Sequence, residues 1–348
     1  MPDLSLFNPN TVGNPNNNIF GLPSTEEESL LVILPVPWEV TVSFGGGTSR
    51  APEHILKSSI QVDLYNKDLH DGWMKGFYMR DVDKKILLKS DYLRKEAELY
   101  IDYISKGEKV EDNKFMTKSL KDINEGGIFL NKWVYDHTIE LLKKDKLVGL
   151  LGGDHSISLG FLKAIAEKHG EFGILQIDAH CDLRKNYEFF TYSHASVMYN
   201  ALNEIPAITK IVQVGVRDFC DEEWELVCNS NNRVVTYLDQ TIKERQYEGD
   251  SWKLICDDII SQLPDKVYLS FDVDGLDRKY CPNTGTPVQG GYETEEVLFL
   301  IKKILDSGRK LIGFDLVEIG VGQNDWDSNV GAHLLWRISN LLVKSSLS

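Results

Sequence analysis

Between Leu175 and Ser196 the chain reads LQIDAHCDLRKNYEFFTYSHAS. It starts apolar, then sets Asp178, His180 and Asp182 at alternate positions, with His194 further on. A second apolar run, KVYLSFDVDGLD, delivers Asp272 and Asp274, and GGDHS places His155 just past a third. Residues two apart on a straight strand share a face, so each alternation would aim its side chains one way. Such a cluster cannot stay bare, because uncompensated burial costs several kcal/mol per ion. Either some groups are protonated or cations sit among them. Aspartate oxygens with imidazole nitrogens are the donor set of a pair of divalent ions such as Mn²⁺. Two such ions would clamp a bridging water and make it hydroxide near neutral pH. A single aspartate at a strand end usually forms a turn or a cap. Asp154 is read instead as a partner orienting His155, and Asp277 as either.

These residues need elements to hold them. LLVILPVP (30–37) is a short buried strand, and SFGGGTSRAPEHIL a glycine-rich turn leading into a helix. The turn lacks the GxxxxGK[ST] spacing of a phosphate loop, so tight backbone packing is the better reading. From about 147 strands alternate with helices: LVGLLGG, FGILQIDAH, KIVQVGVR, RVVTYL, KVYLSFDVD and KLIGFDLVEI are strands, with amphipathic segments between them. That rhythm predicts an α/β fold, a central parallel sheet covered by helices on both faces. Ligands of such sheets bind beyond the carboxyl ends of the strands. Four of those ends are rich in Asp, His and Glu; VGVRDFC and VTYLDQ are not. Residues 1–28 read as a loose arm or oligomer contact, residues 29–348 as one domain, and 66–130 as a charged helical elaboration on it.

Composition narrows the partners. Among 348 residues, 38 basic against 53 acidic side chains give a formal charge of −15. That argues against nucleic acid and anionic membranes and suits cationic ligands and metal ions. No apolar run approaches membrane-spanning length, and the start has no signal-peptide pattern. Five scattered cysteines without a CxxC pair fit reduced thiols in the cytoplasm.

GGDHS, DAHCD, SFDVDGLD with TGTPVQGG, and GFDLVEIG, in that order, resemble the motifs of the ureohydrolase family of arginase, agmatinase and formimidoylglutamase. PVPWEV and GGGTSRAPEHI resemble its opening strand and turn. The resemblance covers about 31–340 and is weakest over 66–130. It implies a three-layer α/β/α sandwich and two Mn²⁺ per chain, with Ni²⁺ an alternative. One ion would be held by His155, Asp178, Asp182 and Asp272, the other by Asp178, His180, Asp272 and Asp274. A bridging hydroxide, oriented by Asp182, would attack a guanidinium carbon paired with Glu318, and His194 would relay a proton to the leaving amine.

The DLR and YSHAS stretches lack the arginine-recognising Asn and Ser-Gly-Asn of arginases and look agmatinase-like. The implied reaction is agmatine to putrescine plus urea, a step of polyamine biosynthesis, on a small cationic guanidino substrate. Arg184 could instead anchor a carboxylate, which would favour a guanidino acid or formimidoylglutamate; its bland reading is a salt bridge, with Glu188 or another acid. Tyr192 and Trp326 are expected to line the pocket. The loop after Glu318 lacks the family's proline, which also leaves arginase and guanidine hydrolase as alternatives. Two readings of other kinds stand beside these: a one-zinc deacetylase of related fold, against which the full ligand set argues, and a non-catalytic oligomeric scaffold. The family further implies a homotrimer or homohexamer.

Overall fold

The structure is a computed structural model that describes Leu4 and residues 7–347. In chain order the regular elements are β1 (Leu31–Val36), α1 (Ala51–Ser59), β2 (Phe77–Met79), α2 (Lys84–Ser105), α3 (Lys114–Lys143), β3 (Leu147–Gly152), α4 (Ser158–His169), β4 (Phe172–Ile177), α5 (Val197–Glu204), β5 (Ile208–Val216), α6 (Asp221–Asn229), β6 (Val234–Leu238), α7 (Asp239–Tyr247), α8 (Trp252–Ser261), β7 (Lys266–Asp272), α9 (Thr294–Asp306), β8 (Lys310–Val317) and α10 (Trp326–Leu347). The eight strands form one sheet, ordered β2-β1-β3-β8-β7-β4-β5-β6, with every pairing parallel.

Strand side chains alternate between two cores, as the period of two requires. Leu31 and Ile33, with Leu175, Ile177, Leu269 and Phe271, face apolar residues of α1, α8, α9 and α10. Val32, Leu34 and Val36, with Ile174 and Tyr268, face those of α2, α3, α4 and α5. Both sheet faces are therefore covered, which is why the strands read as unbroken apolar runs.

The order of strands decides where the site lies. β3 and β4 are consecutive in sequence, yet β8 and β7 are inserted between them. The four strands whose ends carry Asp, His and Glu are thus the four central neighbours, at the point where the winding reverses.

Three expectations change. Ile19, Phe20 and Leu22 of the supposed loose arm are buried, with Phe20 packed on Phe77 and Trp336; residues 1–3, 5 and 6 lie outside the described residues. The segment 66–130 holds the edge strand β2 as well as helices, too short to show a periodicity. Helix α7 was not foreseen, because DQTIKERQY buries only Asp239 and Ile242 and so has no apolar face. Among the described residues no helix is long and apolar enough to cross a membrane.

Candidate metal centre

Asp178 is the first residue after β4, and its Oδ1 accepts the His180 N–H at 2.7 Å. Asp272 ends β7, and its Oδ1 accepts the Asp274 N–H at 2.8 Å. Both D-x-H and D-x-D are therefore Asx turns. The expected pleat alternation does not operate, because the strands stop at these residues. Asp182 lies beyond a further bend with φ +54°, a left-handed conformation unusual outside glycine. The same Asx geometry explains Asp154, whose Oδ1 accepts the Ser156 N–H at 3.0 Å. Asp154 caps the turn bearing His155 and does not hold the imidazole as expected.

The turns converge. His155 Nδ1 lies 3.2 Å from Asp178 Oδ2, 2.9 Å from Asp182 Oδ2 and 3.5 Å from Asp272 Oδ2. His180 Nδ1 lies 3.0 Å from Asp274 Oδ2 and 3.6 Å from Asp178 Oδ1. His155, Asp178 and Asp182 form one group of donor atoms close enough to hold an ion; Asp178, His180 and Asp274 form a second. Asp178 belongs to both, and Asp272 borders the first.

The tautomer of His155 tests the fit of a cation. Its Nε2 lies 2.8 Å from Ser270 Oγ. The Ser270 hydroxyl donates to Asp315 at 3.0–3.1 Å, and Asp315 also accepts from Tyr268 Oη and Phe271 N. The hydroxyl has one hydrogen and spends it on the carboxylate, so Nε2 must be the donor to Oγ. In the neutral ring Nδ1 is then a bare lone pair. It is buried without a hydrogen-bond partner and lies 2.9–3.5 Å from three carboxyl groups. A positive charge belongs between them, and the donor set suits divalent ions.

Titration behaviour follows the crowding. Burial, reinforced by Asp178, raises Asp182 to about 7. Burial, then Asp274 and Asp178, holds Asp272 well above its usual range. Burial would raise Asp178 as well, but the adjacent His155 and His180 rings outweigh it and keep that carboxyl low.

Several supporting residues escaped the sequence reading. Gln176 Nε2 donates to Asp178 Oδ2 at 2.8 Å, Gln213 Nε2 to Gln176 Oε1 at 2.7 Å, and Thr236 Oγ1 to Gln213 Oε1 at 2.7 Å. This chain, of two buried glutamines and a half-buried threonine, crosses β4, β5 and β6. With Ser270 and Asp315, its signal was a polar residue inside an apolar strand (ILQI, VQVG, LSFD, GFDL). Gly275 is another. A Cβ there would come within 2.7 Å of Asp178 N and 3.0 Å of Ile177 C. Gly275→Ala is expected to displace the end of β4, at about 1–3 kcal/mol. Thermal unfolding and bound-metal content measure it, and wild-type values for both would refute the contact.

Beside this cluster lies a cleft of about 320 Å³, lined by His155, His180, Asp182, Asp272, His194 and Glu318, and towards its mouth by Phe44, Arg184, Tyr187 and Asp218. Asp218 follows β5, an end that the sequence reading passed over. Glu318 has φ +61°; its Oε1 accepts the His155 N–H at 2.9 Å, and its Oε2 is buried without a partner. Burial, then the charge of Asp154, raises its carboxyl well above the usual range. His194 Nδ1 lies 3.3 Å from Thr41 Oγ1, which also accepts the His194 N–H at 3.2 Å. Burial, then the imidazoles of His180 and His155, lowers His194 to about 3.

Arg184 Nε lies 3.7 Å from Glu223 Oε2, not beside Glu188, and its guanidinium sits 5.0 Å from the centre of the Tyr187 ring. Tyr192 and Trp326 do not line the cleft as expected: Tyr192 faces a groove with Ile128 and Lys163, and Trp326 Nε1 donates to Lys279 O at 2.9 Å. The loop after Glu318 is secured by Asp327, which accepts from Asn283 N and Nδ2 at 2.9 Å.

Residues 29–339 match the description "Arginase family". The chain is 30% identical over 295 residues to N(1)-aminopropylagmatine ureohydrolase of Thermus thermophilus, covering 84% of this chain and 83% of that protein. It is 27% identical over 293 residues to an agmatinase of Bacillus cereus, covering 84% of each. The agmatine ureohydrolase of Thermoplasma volcanium superposes with a TM-score of 0.68 at 22% identity, over 93% of both chains.

Proposed function

The chain belongs to the arginase family, and from that premise we propose that this hydrolase of amidino C–N bonds acts on guanidino amines of the agmatine type, releasing urea and a diamine. The observation that carries the metal-dependent reading is the bare Nδ1 of His155 facing three carboxylates. Two divalent ions, Mn²⁺ or Ni²⁺, held by His155, Asp178, Asp182 and Asp272 and by Asp178, His180, Asp272 and Asp274, would supply a strong nucleophile from water at neutral pH.

The remaining work belongs to side chains. Glu318 presents a buried, unpartnered Oε2 to the cleft. Ionised, it would pair with the guanidinium N–H groups and hold the amidino carbon in place. Asp182 would orient the attacking oxygen by accepting its hydrogen. As oxygen bonds to the amidino carbon, the bond from that carbon to the nitrogen of the amine arm breaks, and that nitrogen needs a proton. His194 lines the same cleft and would relay it.

The mouth supports an amine-ended arm. Arg184 is countered by Glu223 and stacked on Tyr187, which favours its structural reading, whereas Asp218 stays largely exposed. The agmatinase and N(1)-aminopropylagmatine ureohydrolase names among the relatives agree with such an arm. Urea release from agmatine, its aminopropyl derivative, arginine, guanidinobutyrate and guanidine, with formamide release from formimidoylglutamate, tests this. Guanidino amines should lead, and Arg184→Ala should leave their kcat/KM within about threefold, as for a charge without a ligand. Preference for a carboxylate-bearing substrate, lost in Arg184→Ala, would overturn the reading. Two bound ions without turnover of any of them would indicate a scaffold.

A further inference from the structure

Helix α2 lies in the stretch that the family resemblance matches least, yet one face of it grips the loop between β1 and α1. Ser90 Oγ accepts the Glu39 N–H at 3.0 Å. Asp91 accepts from Arg50 Nη2 at 2.7–2.8 Å. Arg94 Nη1 donates to the Val42 carbonyl. Residues 90, 91 and 94 share a helix face by the three-to-four spacing. The side chain of Arg94 is only 15% exposed, with Nε 3.1 Å from Glu98 Oε1, so a largely buried cation has been aimed at one backbone carbonyl.

That carbonyl adjoins Thr41, the residue whose hydroxyl meets both the backbone N–H and Nδ1 of His194. Residues 37–47 form no helix or strand, so Thr41 depends on such tethers for its position. The charge of the same guanidinium also opposes the burial that raises Glu188 to about 7.

We propose that Arg94 is a positioning residue for His194: by holding the Val42 carbonyl it sets the Thr41 hydroxyl against the imidazole, so that α2 aligns the proton relay from outside the cleft. The consequence for turnover rests on the ureohydrolase reading; the consequence for the His194 ring does not.

The test uses the metal-loaded chain and the variants Arg94→Ala, Arg94→Lys, Thr41→Val and the Arg94→Ala/Thr41→Val double. Arg94→Ala should lower kcat for urea release about tenfold, since small misplacements of a catalytic group are costly. KM and bound metal should hold, and Arg94→Lys should recover part of the rate. Because both residues act through one contact, the double variant should be no slower than Thr41→Val. A double variant slowed by the product of the two single effects would overturn the proposal. So would an Arg94→Ala that changes only KM or metal content. If Arg94→Ala does not fold, Arg94→Gln carries the same comparison. The ring signals of His194, assigned by their loss in His194→Ala, should move alike in Thr41→Val and Arg94→Ala. An unmoved ring in Arg94→Ala refutes the positioning role. An absence of amidine hydrolysis by the wild type would refute the enzymatic reading and leave the ring comparison to decide this one.

Discussion

Asp178→Asn is expected to remove bound metal and activity together. Asp178 is the one residue shared by both donor groups, with His155 and Asp182 on one side and His180 and Asp274 on the other. Asparagine keeps the size and can still accept the His180 N–H that shapes the Asx turn. It loses the charge that offsets two cations. Its amide N–H₂ then meets the Gln176 N–H₂ that Asp178 Oδ2 accepts at 2.8 Å, a donor facing a donor at about 1–3 kcal/mol. That penalty is small enough for most domains to stay folded, which circular dichroism checks. Elemental analysis should find fewer than two ions per chain. Losing several kcal/mol of charge stabilisation corresponds to a fall in kcat/KM of about a thousandfold or more. A folded Asp178→Asn with wild-type metal content and turnover would mean the two groups are not the metal site.

His194→Ala should separate the same two quantities. His194 contacts no carboxylate of the cluster in the hydrogen-bond network; its ring is held by Thr41. Metal content should therefore stay at the wild-type level while kcat falls by about 10²–10⁴, the usual contribution of general acid–base catalysis. Burial, with two imidazoles adding to it, keeps the ring neutral down to about pH 3. His194 thus holds no standing proton to give at neutral pH. In the proposed reaction it would take one as the leaving nitrogen needs it, the behaviour of a relay. Added imidazole should restore part of the lost rate. Normal turnover of His194→Ala would remove the role from this residue.

Strand identity was legible because a sheet buried on both faces leaves mostly apolar side chains along β1, β3, β4, β7 and β8. Elements that bury little were not legible. Helix α7 sits on a mostly polar surface, and β2 spans three residues at the sheet edge. The candidate ligands were visible as breaks in apolar runs, since an aspartate where a valine would be expected carries a large burial cost. Ser270, Asp315, Gln176 and Gln213 are breaks of the same kind further back in the strands. They were passed over because they lie inside the strands and act only through neighbours that the linear chain does not reveal.

The sequence by itself determined which candidate ligands stand at which strand ends and how the polypeptide alternates between strand and helix, since these rest on local periodicity and local turn chemistry. Only the tertiary structure decided that β7 and β8 lie between β3 and β4, which puts His155, Asp178, Asp272 and Glu318 on four adjacent strands. It alone decided that Nδ1 of His155 is the bare nitrogen, that Glu223 counters Arg184, and that α2 reaches back to the wall holding His194. Each of these depends on contacts between residues 39 to 163 positions apart, and no local rule of chain conformation extends that far.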